Sequence, residues 1–531
     1  MKRITTPGII VLSAVFFVLI DNFAFFRDVV EVYPLSRENL GFLASLILVL
    51  TSIMIILLTL VSSKYTLKPF LILAFAGSSI AGYFMNNYNV IIDQTMIQNI
   101  VATNVKEAFE LFSVKLVLYI LFLGLIPSLW ICWVKVKPRV WKVELISRVK
   151  LVAISLVLIT SSVFIFSKFY TSFLREHKPL RYRTNPTYAI YSIGKYVHAK
   201  FKDRYIQFNH VGEDAKIPVA DVDRELIIVV IGEAARADRF SLNGYARETN
   251  PLLKKEDIIS LRNVHSCGTS TEVSVPCMFS IYNRNNYSAK KGRSTENLLD
   301  VLSHAGVNIL WRENNSDSKG VALRVPYENY KTPQKNPICD EECRDEGMLE
   351  GLQTYINSRS RGDILIVLHQ MGNHGPAYYQ RYPKSFEKFK PTCQTNQLNE
   401  CSNEAINNAY DNAILYTDYF LSKTIRLLKQ NDGRFETAMI YMSDHGESLG
   451  EKGLYLHGIP YFIAPDEQTH IAALLWLGDH FKTQRQLLKR KVHREYSHEN
   501  LFHTVLGLLE INTSLYEKRK DIINSNESAL K

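Results

Sequence analysis

A stretch around Thr271 places a candidate hydroxyl nucleophile within reach of residue types that could activate it. Thr271 lies in residues 267–277, Cys-Gly-Thr-Ser-Thr-Glu-Val-Ser-Val-Pro-Cys. A threonine hydroxyl is a poor nucleophile unless a base or a metal ion activates it. Glu233 upstream and Asp444 and His445 downstream are ligand types that suit Zn²⁺, and Thr271 would complete a tetrahedral set. The sequence therefore predicts covalent, zinc-assisted group transfer.

Three further residues could act on a charged substrate. His374, in His-Gly-Pro, and His457, in Tyr-Leu-His-Gly, could bind phosphoryl oxygens or a second zinc ion, or act as general acid and base. Lys319 could neutralise charge on a transferred phosphoryl group. Structural interpretations stay open: Asp-His-Gly can be a turn, and Thr-Ser-Thr can be a helix N-cap. His369 is expected to be a structural histidine or to support a ligand from behind, and Glu447 and Glu451 are interpreted as solvated helix charges outside the site.

The candidate site residues follow short apolar runs. These runs cover residues 226–231, 308–311, 364–368, 438–442 and 471–476. Continuous apolar runs of this length are typical of strands that are buried on both faces of a mainly parallel sheet. Glu233, residues 313–315, His369 and residues 444–445 each come directly after such a run. Because open α/β sheets bind ligands outside the carboxyl ends of their strands, we expect these residues to share one rim.

The first third of the chain carries apolar segments that are long enough to cross a membrane. Candidate spans cover about residues 8–26, 40–63, 67–84, 115–134 and 150–168. The third is the weakest, because glycine and serine dilute it. The first lacks a signal-peptidase cleavage site and is interpreted as an uncleaved anchor. Lys and Arg crowd alternate loops, which predicts a cytoplasmic N-terminus and places everything after residue 170 outside the cytoplasm.

Cysteine usage agrees with export, since six of the seven cysteines lie after residue 170. Cysteines in close sequential pairs suit an oxidising compartment. Several pairings are possible in principle, and we expect neighbours to pair. The expected disulfides are Cys267–Cys277, Cys339–Cys343 and Cys393–Cys401. Metal thiolates are the alternative, but no His or Cys beside Cys339 and Cys343 in sequence completes a set of four ligands.

The composition predicts two domains and a linker. Residues 1–170 form a membrane domain of five spans, residues 171–205 a basic and aromatic linker helix, and residues 206–531 an α/β periplasmic catalytic domain. The linker suits a helix on the outer leaflet, and equally a helix that docks on the soluble domain. The formal charge of +10 is compatible with anionic lipid headgroups and also with basic cytoplasmic loops. The sequence carries no nucleic-acid-binding motif, so nucleic acid is not an expected partner.

Four motifs resemble a known enzyme family. They are Gly-Glu-Ala-Ala-Arg-Ala-Asp-Arg, Cys-Gly-Thr-Ser-Thr-x-x-Ser-Val-Pro-Cys-Met, His-Gly-Pro-x-Tyr and Ser-Asp-His-Gly-Glu-Ser-Leu-Gly-Glu. In this order they resemble the phosphoethanolamine transferases of Gram-negative bacteria. That family includes lipid A-modifying and mobile colistin-resistance enzymes of the alkaline phosphatase/sulfatase superfamily. The resemblance implies a five-helix transmembrane domain followed by an α/β/α alkaline-phosphatase-like domain with a mainly parallel sheet.

The resemblance also implies roles for individual residues. Thr271 matches the nucleophile that becomes phosphoethanolaminated. The remaining matches are Glu233, Asp444 and His445 to the other zinc ligands, His374 and His457 to residues that bind substrate or additional zinc, and Lys319, Asn315, Asn99, Thr103 and Glu107 to groups near the donor headgroup. Asn99, Thr103 and Glu107 recur every four residues, so plain amphipathic packing is the alternative for them. Glu272 and Val273 depart from the family pattern beside the nucleophile and could bear on acceptor choice.

The resulting hypothesis is a ping-pong transferase of the inner membrane that faces the periplasm. Its expected donor is phosphatidylethanolamine, its acceptor is lipopolysaccharide with lipid A phosphate favoured, and it is expected to be a monomer with one tightly bound Zn²⁺ and room for a second. Kdo, heptose and periplasmic glucan stay open as acceptors. The alternatives are a phosphoglycerol transferase, a hydrolase such as a sulfatase or phosphodiesterase, and a membrane sensor with a degenerate site. The formylglycine context that sulfatases need is absent from the sequence around Thr271.

Overall fold

The computed structural model describes residues 3–103, 105–175, 177–202 and 207–524, which form two compact units. One unit comprises the described residues up to 98 together with 112–200. The other comprises the described residues of 99–111 and those from 201 onward. The predicted linker and catalytic domain include residues 203–206, which lie outside the described residues, and the boundaries at 170 and 205 stay predictions.

The first 202 residues are helical wherever the structure shows regular elements. Their helices are α1 Thr6–Leu19, α2 Phe23–Val32, α3 Arg37–Val61, α4 Leu67–Tyr88, α5 Gln94–Ala102, α6 Val105–Glu110, α7 Val114–Tyr119, α8 Ile126–Trp133, α9 Trp141–Ile165, α10 Ser167–Arg175, α11 Lys178–Arg181 and α12 Thr187–Lys202. A single π-helical segment, Ile120–Leu125, joins α7 to α8. Helices α3, α4, α7–α8 and α9 are each long and apolar enough to cross a membrane. They correspond to four of the five predicted spans.

The remaining predicted span, residues 8–26, differs from a straight helix. It is divided between α1 and α2, which are bent by 55° at the break. The described residues therefore provide four spans, or five if the bent pair crosses as one. Polar residues account for the break: the Asn22 side-chain amide donates to the Phe17 carbonyl at 2.8 Å, and Asp21 accepts a hydrogen bond from Ser78 at 2.6 Å. Side chains that satisfy freed backbone and carboxylate groups allow a helix to bend here.

The second unit contains a seven-stranded sheet in the order β2-β10-β7-β1-β6-β4-β5. The strands of the unit are β1 Glu225–Gly232, β2 Ile259–Leu261, β3 Val264–His265, β4 Asn308–Glu313, β5 Tyr327–Asn329, β6 Ile364–His369, β7 Glu436–Ser443, β8 Ser448–Leu449, β9 Tyr455–Leu456, β10 Ala473–Leu477 and β11 Tyr496–Ser497. Strands β7, β1, β6, β4 and β5 pair in parallel, and β10 is antiparallel to β7 and β2. The predicted mainly parallel sheet is confirmed, and each predicted apolar run overlaps one of its strands.

Helices cover both faces of this sheet. They are α13 Thr271–Met278, α14 Ala289–Ser294, α15 Leu298–His304, α16 Leu352–Ser358, α17 Asn403–Asn431, α18 Asp466–Thr469, α19 Lys482–Lys489 and α20 Glu499–Leu508. Successive residues of β1 point to opposite faces, so Val229 joins the core with α13, α15 and α20, and Ile228 joins the core with α17. Burial on both faces explains why β1 is continuously apolar, and it gives the α/β/α layering that was expected.

The three expected disulfides are present. They join Cys267 to Cys277, Cys339 to Cys343, and Cys393 to Cys401. The first spans the beginning and the end of the segment that carries Thr271, and the other two close short loops. Neighbour pairing is therefore confirmed, and it agrees with an oxidising compartment for this unit.

Two buried carboxylates meet at the amino ends of β1 and β6. Glu225 and Asp363 are almost fully buried, and the Glu225 backbone N–H donates to Asp363 Oδ1 at 3.2 Å. Burial, and then Asp363, raise the pKa of Glu225 from 4.5 to about 9. The folded chain therefore keeps a proton here that the unfolded chain releases. The stability contributed by this proton is fully present below about pH 4.5 and is lost as the pH rises towards 9.

Glu225→Gln is therefore expected to raise the melting temperature of the purified full chain by a few degrees at about pH 8 and by less at about pH 5. Glutamine keeps the shape of glutamate and does not titrate. The variant therefore avoids the free-energy cost of keeping the buried carboxyl group protonated, which grows as the pH rises. Melting temperatures measured across this pH range test the prediction, with Glu213→Gln at an exposed carboxylate as the control. Parallel curves for the variant and the unsubstituted chain would contradict it.

Candidate active site

Glu233 and Asp444 lie side by side because they follow the carboxyl ends of the neighbouring parallel strands β1 and β7. The Asp444 backbone N–H donates to the Gly232 carbonyl at 2.9 Å, and the Ala234 backbone N–H donates to Asp444 Oδ1 at 3.1 Å. Ala234 has a φ of 53°, in the left-handed region that residues other than glycine rarely adopt. This strained turn directs the chain sharply away from β1 directly after Glu233, as is common at functional sites.

Thr271 contacts both Glu233 and His445. It is the first residue of α13, directly after the N-cap residue Ser270, and it is buried. Its Oγ1 donates to Glu233 Oε2 at 3.1 Å and lies 3.4 Å from His445 Nε2. The amino end of a helix carries partial positive charge, which stabilises negative charge that develops on this oxygen. The structure thus brings together all four residues of the predicted metal set.

Unsatisfied polar atoms at this point show that the site suits a cation. Glu233 Oε1 and Asp444 Oδ2 are buried and accept no hydrogen bond within the part of the chain that the structure describes. Both lie 3.4 Å from His445 Nε2, whose ring presents Nδ1 to the Gly446 carbonyl at 2.8 Å. Burial, and then Asp444, raise the pKa of Glu233 well above its ordinary value, so the pair needs a positive charge to be doubly ionised.

The candidate metal cluster extends beyond the predicted set. Ligand atoms of Glu233, His445 and His457 lie within 4.8 Å of one another. The rings of His445 and His457 have centroids 4.1 Å apart, and those of His374 and His457 are 6.2 Å apart. Burial, and then Arg381, hold the pKa of His374 well below its ordinary value, so its imidazole is neutral. A neutral imidazole can accept a proton or bind a metal ion.

Glu447 orients His457, and the interpretation of Glu447 as a solvated helix charge is wrong. Its side chain is fully buried, with one oxygen 2.9 Å from His457 Nδ1 and the other accepting from the Tyr378 hydroxyl at 2.9 Å. The chain enters strand β8 at Ser448, so the helix assumed after Asp-His-Gly does not form. A carboxylate that holds one ring nitrogen fixes which nitrogen faces the site.

Asn315 lies behind Glu233. Its side-chain N–H groups donate to Glu233 Oε2 and to the Gln370 carbonyl, both at 2.8 Å, and the residue is buried. Lys319 Nζ lies 3.8 Å from Oε2 of Glu272, the residue that directly follows Thr271. Asn315 therefore positions the Glu233 carboxylate, while Lys319 brings a positive charge to the residue beside Thr271. Their roles in substrate binding stay predictions.

His369 has the structural environment that was expected. It is fully buried, and its Nδ1 lies 3.0 Å from Glu313 Oε2. The same Glu313 oxygen accepts from the Trp311 indole N–H at 2.9 Å, and the other Glu313 oxygen accepts from the Asn315 backbone N–H at 2.8 Å. This network fixes the loop after β4, from which Asn315 reaches Glu233.

The predicted headgroup face of Asn99, Thr103 and Glu107 is not one continuous helix. Helix α5 ends at Ala102 and α6 begins at Val105. Thr103 Oγ1 donates to the Asn99 carbonyl at 2.8 Å, which satisfies a carbonyl at the end of α5. The side chain of Glu107 lies outside the described residues. Residue 104, between the two helices, lies outside the described residues, and the headgroup role of these three residues stays a prediction.

Comparisons with known proteins agree over the whole chain. Residues 225–511 match the Sulfatase family model, and residues 50–201 match the Phosphoethanolamine transferase EptA/EptB model. The chain is 40% identical to phosphatidylethanolamine transferase Mcr-1 of Escherichia coli over 536 residues, 98% of each chain. It is 39% identical to phosphoethanolamine transferase EptA of Escherichia coli (strain K12) over 528 residues, covering 97% of this chain and 96% of the relative.

A solved structure matches nearly the whole chain. The integral membrane protein lipooligosaccharide phosphoethanolamine transferase A from Neisseria meningitidis is 35% identical, with a TM-score of 0.94 and 99% of both chains covered. With the apolar helices of the first unit, this likeness confirms a multi-pass inner-membrane protein whose catalytic domain is periplasmic. The chain belongs to the phosphoethanolamine transferase family of the alkaline phosphatase/sulfatase superfamily, and it is an enzyme of that class.

Proposed function

We propose that the chain moves phosphoethanolamine from phosphatidylethanolamine to the lipid A part of lipopolysaccharide through a covalent intermediate on Thr271. The observation that carries this proposal is the position of Thr271 Oγ1, 3.1 Å from a buried Glu233 carboxylate at the amino end of α13. The names of Mcr-1, a phosphatidylethanolamine transferase, and of the Neisseria enzyme, a lipooligosaccharide phosphoethanolamine transferase, support a phosphatidylethanolamine donor and a lipooligosaccharide-type acceptor.

Zinc fits the donor set of the site. Glu233, Thr271, Asp444 and His445 would hold one ion, and His374 with His457 would provide for a second. When bound, zinc supplies Lewis-acid stabilisation of negative charge on the Thr271 oxygen and on the phosphoryl group.

Two displacements at phosphorus complete the reaction. In the first, Thr271 Oγ1 forms a bond to phosphorus, the bond from phosphorus to the diacylglycerol oxygen breaks, and the threonine proton finishes on that oxygen. In the second, an oxygen of the singly protonated acceptor phosphate attacks phosphorus, the bond to Thr271 breaks, and the acceptor's proton moves to the Thr271 oxygen. His457, held by Glu447, and the neutral His374 can carry these protons as general acid and base. Lys319 offsets negative charge on the phosphoryl group.

Mass spectrometry of lipid A and core oligosaccharide tests the proposal. A polymyxin-sensitive host that expresses the chain is expected to gain a phosphoethanolamine increment on lipid A, and a host with Thr271→Ala is not. An increment confined to the core would keep the mechanism and overturn the acceptor. The absence of any increment, with folded metal-loaded chain present, would overturn the proposed function.

Glu447→Gln is expected to lower the transfer rate by about 10- to 100-fold. If the amide oxygen accepts from the Tyr378 hydroxyl, the amide N–H group faces His457 Nδ1, where the carboxylate had placed an acceptor. The imidazole then adopts another orientation or tautomer. Rates measured against pH are expected to show a shifted profile as well as a lower maximum. Glu451→Gln is the matched control, because that carboxylate binds Arg236 instead of a histidine. Equal effects of the two variants would contradict the assigned role.

A further inference from the structure

Arg381 is a buried arginine that joins three separate segments of the catalytic unit. Its side chain is fully buried, and its Nε donates to the His374 carbonyl at 2.6 Å. Its two terminal nitrogens pair with carboxylates, Nη1 with Glu342 and Nη2 with Glu110. Arginine suits this position, since its planar group presents several donors in fixed directions.

Two carboxylates surround the single positive charge of Arg381. Burial alone would lower the pKa of Arg381, but the Glu342 and Glu110 carboxylates raise it above its ordinary value. Glu342 and Glu110 are themselves mostly buried. A charge-assisted hydrogen bond of this kind is strong because little water competes for it. The three groups therefore hold one another in a defined arrangement.

Glu110 is held through its backbone as well. The Asn396 side-chain amide donates to the Glu110 carbonyl. Asn396 lies inside the loop closed by the Cys393–Cys401 disulfide, and Glu342 lies inside the loop closed by Cys339–Cys343. Arg381 and a loop closed by a disulfide thus both contact Glu110, the last residue of helix α6, and a second such loop holds Arg381 through Glu342.

The segment that contacts Arg381 lies between two parts of the other unit in sequence. The described residues of 99–111 belong to the catalytic unit, although the chain on both sides of them belongs to the membrane unit. The segment includes Asn99 and Thr103, which are predicted to lie near the donor headgroup. Arg381 contacts this segment at Glu110 and the loop of His374 at the same time.

We propose that Arg381 is a positioning residue. Through Glu110 it holds segment 99–111 at a fixed position relative to the loop of His374, so that the phospholipid headgroup is presented to Thr271. This inference rests on the proposed function. Arg381 acts through its neighbours: it touches the carbonyl of His374 and the carboxylate of Glu110. Loss of the Glu110 contact frees the headgroup segment and leaves the His374 loop bound, so it weakens donor binding more than chemistry.

Glu110→Gln in the full chain is the decisive variant, because it keeps the shape and leaves Arg381 paired with Glu342. The KM for phosphatidylethanolamine, measured as diacylglycerol release in mixed micelles, is expected to rise about 5- to 20-fold with kcat nearly unchanged. Arg381→Gln is expected to raise KM and also to lower kcat, because the His374 carbonyl loses the hydrogen bond from Arg381 Nε. Adding Glu110→Gln to Arg381→Gln is expected to raise KM no further, since both act through one contact.

Hydrogen exchange gives a second measurement that does not depend on activity. Amides of residues 99–111 are expected to exchange faster in Glu110→Gln, with the sheet unchanged. Glu256→Gln is the matched control, because Glu256 pairs with Lys429, outside the site. A KM within about 2-fold of the unsubstituted chain, or unchanged exchange in 99–111, would overturn the inference. If the unsubstituted chain releases no diacylglycerol, the proposed function fails, and hydrogen exchange still decides whether the contact holds the segment.

Discussion

Replacing Thr271 with alanine is expected to lower phosphoethanolamine transfer by at least about 10³-fold and to leave the fold intact. In the proposed mechanism the Thr271 hydroxyl oxygen bonds to phosphorus, and among the described residues no other hydroxyl donates a hydrogen bond to Glu233. Thr271→Ser is expected to keep measurable activity, because it retains the oxygen at the amino end of α13. Rates of diacylglycerol release and of acceptor modification check both outcomes.

The covalent intermediate gives the same prediction a direct readout. When the chain is incubated with phosphatidylethanolamine and no acceptor, intact-mass and peptide analysis should find one phosphoethanolamine group on Thr271. Ser270→Ala is the matched control: Ser270 is the adjacent buried residue, and its hydroxyl has no hydrogen-bond partner among the described groups. That variant is expected to form the intermediate normally. Labelling at another residue, or full activity in Thr271→Ala, would contradict the mechanism.

The position of the site was predictable because it depends on local sequence patterns. Continuous apolar runs identify strands buried on both faces, and polar residues directly after them must emerge at one edge of a parallel sheet. Glu233 and Asp444 illustrate this, since both follow such runs and both lie beside Thr271. The neighbouring cysteine pairs also formed as expected, because short separations leave little choice of partner.

Other features depend on packing that no local pattern reveals. Glu447 was misread because its charge is typical of a helix surface, whereas burial against Tyr378 and His457 is settled only when the loop after β7 folds back. The split between α5 and α6 is likewise invisible in a spacing of four residues. The contact of Arg381 with Glu110 joins residues 271 positions apart, so charge patterning along the chain could not indicate it.

The break in the first span has a similar origin. Asp21 is a charged residue inside the first apolar run, and hydropathy alone does not show whether the helix stays straight or bends there. The structure takes the second course, with Ser78 on α4 as the partner of Asp21 and Asn22 satisfying the end of α1. A hydrogen-bond partner on another helix accompanies the bend between α1 and α2, and a hydropathy profile of the chain does not show such a partner.

Glu233→Gln is expected to remove the metal from the site and with it at least about 10³-fold of the transfer rate. The neutral amide keeps the shape of Glu233 but cancels one of the two buried negative charges that attract a cation beside His445. Zinc content of the purified full chain should fall well below that of the unsubstituted chain. Stabilisation by added Zn²⁺, which mass action sets at about 2.7 kcal/mol at a concentration 100 times Kd, should largely vanish.

Thr271→Ala separates metal binding from chemistry, because it leaves Glu233, Asp444 and His445 in place. It is expected to be inactive, yet to keep most of its zinc. Its melting temperature is expected to fall when a chelator removes that zinc. Glu233→Gln is expected to lose both properties together. Since two unpaired carboxylate oxygens lie buried within 3.4 Å of one imidazole nitrogen, the site without a cation should be strained by like charges. A Glu233→Gln chain that keeps full zinc occupancy and normal turnover would show that the cation lies elsewhere.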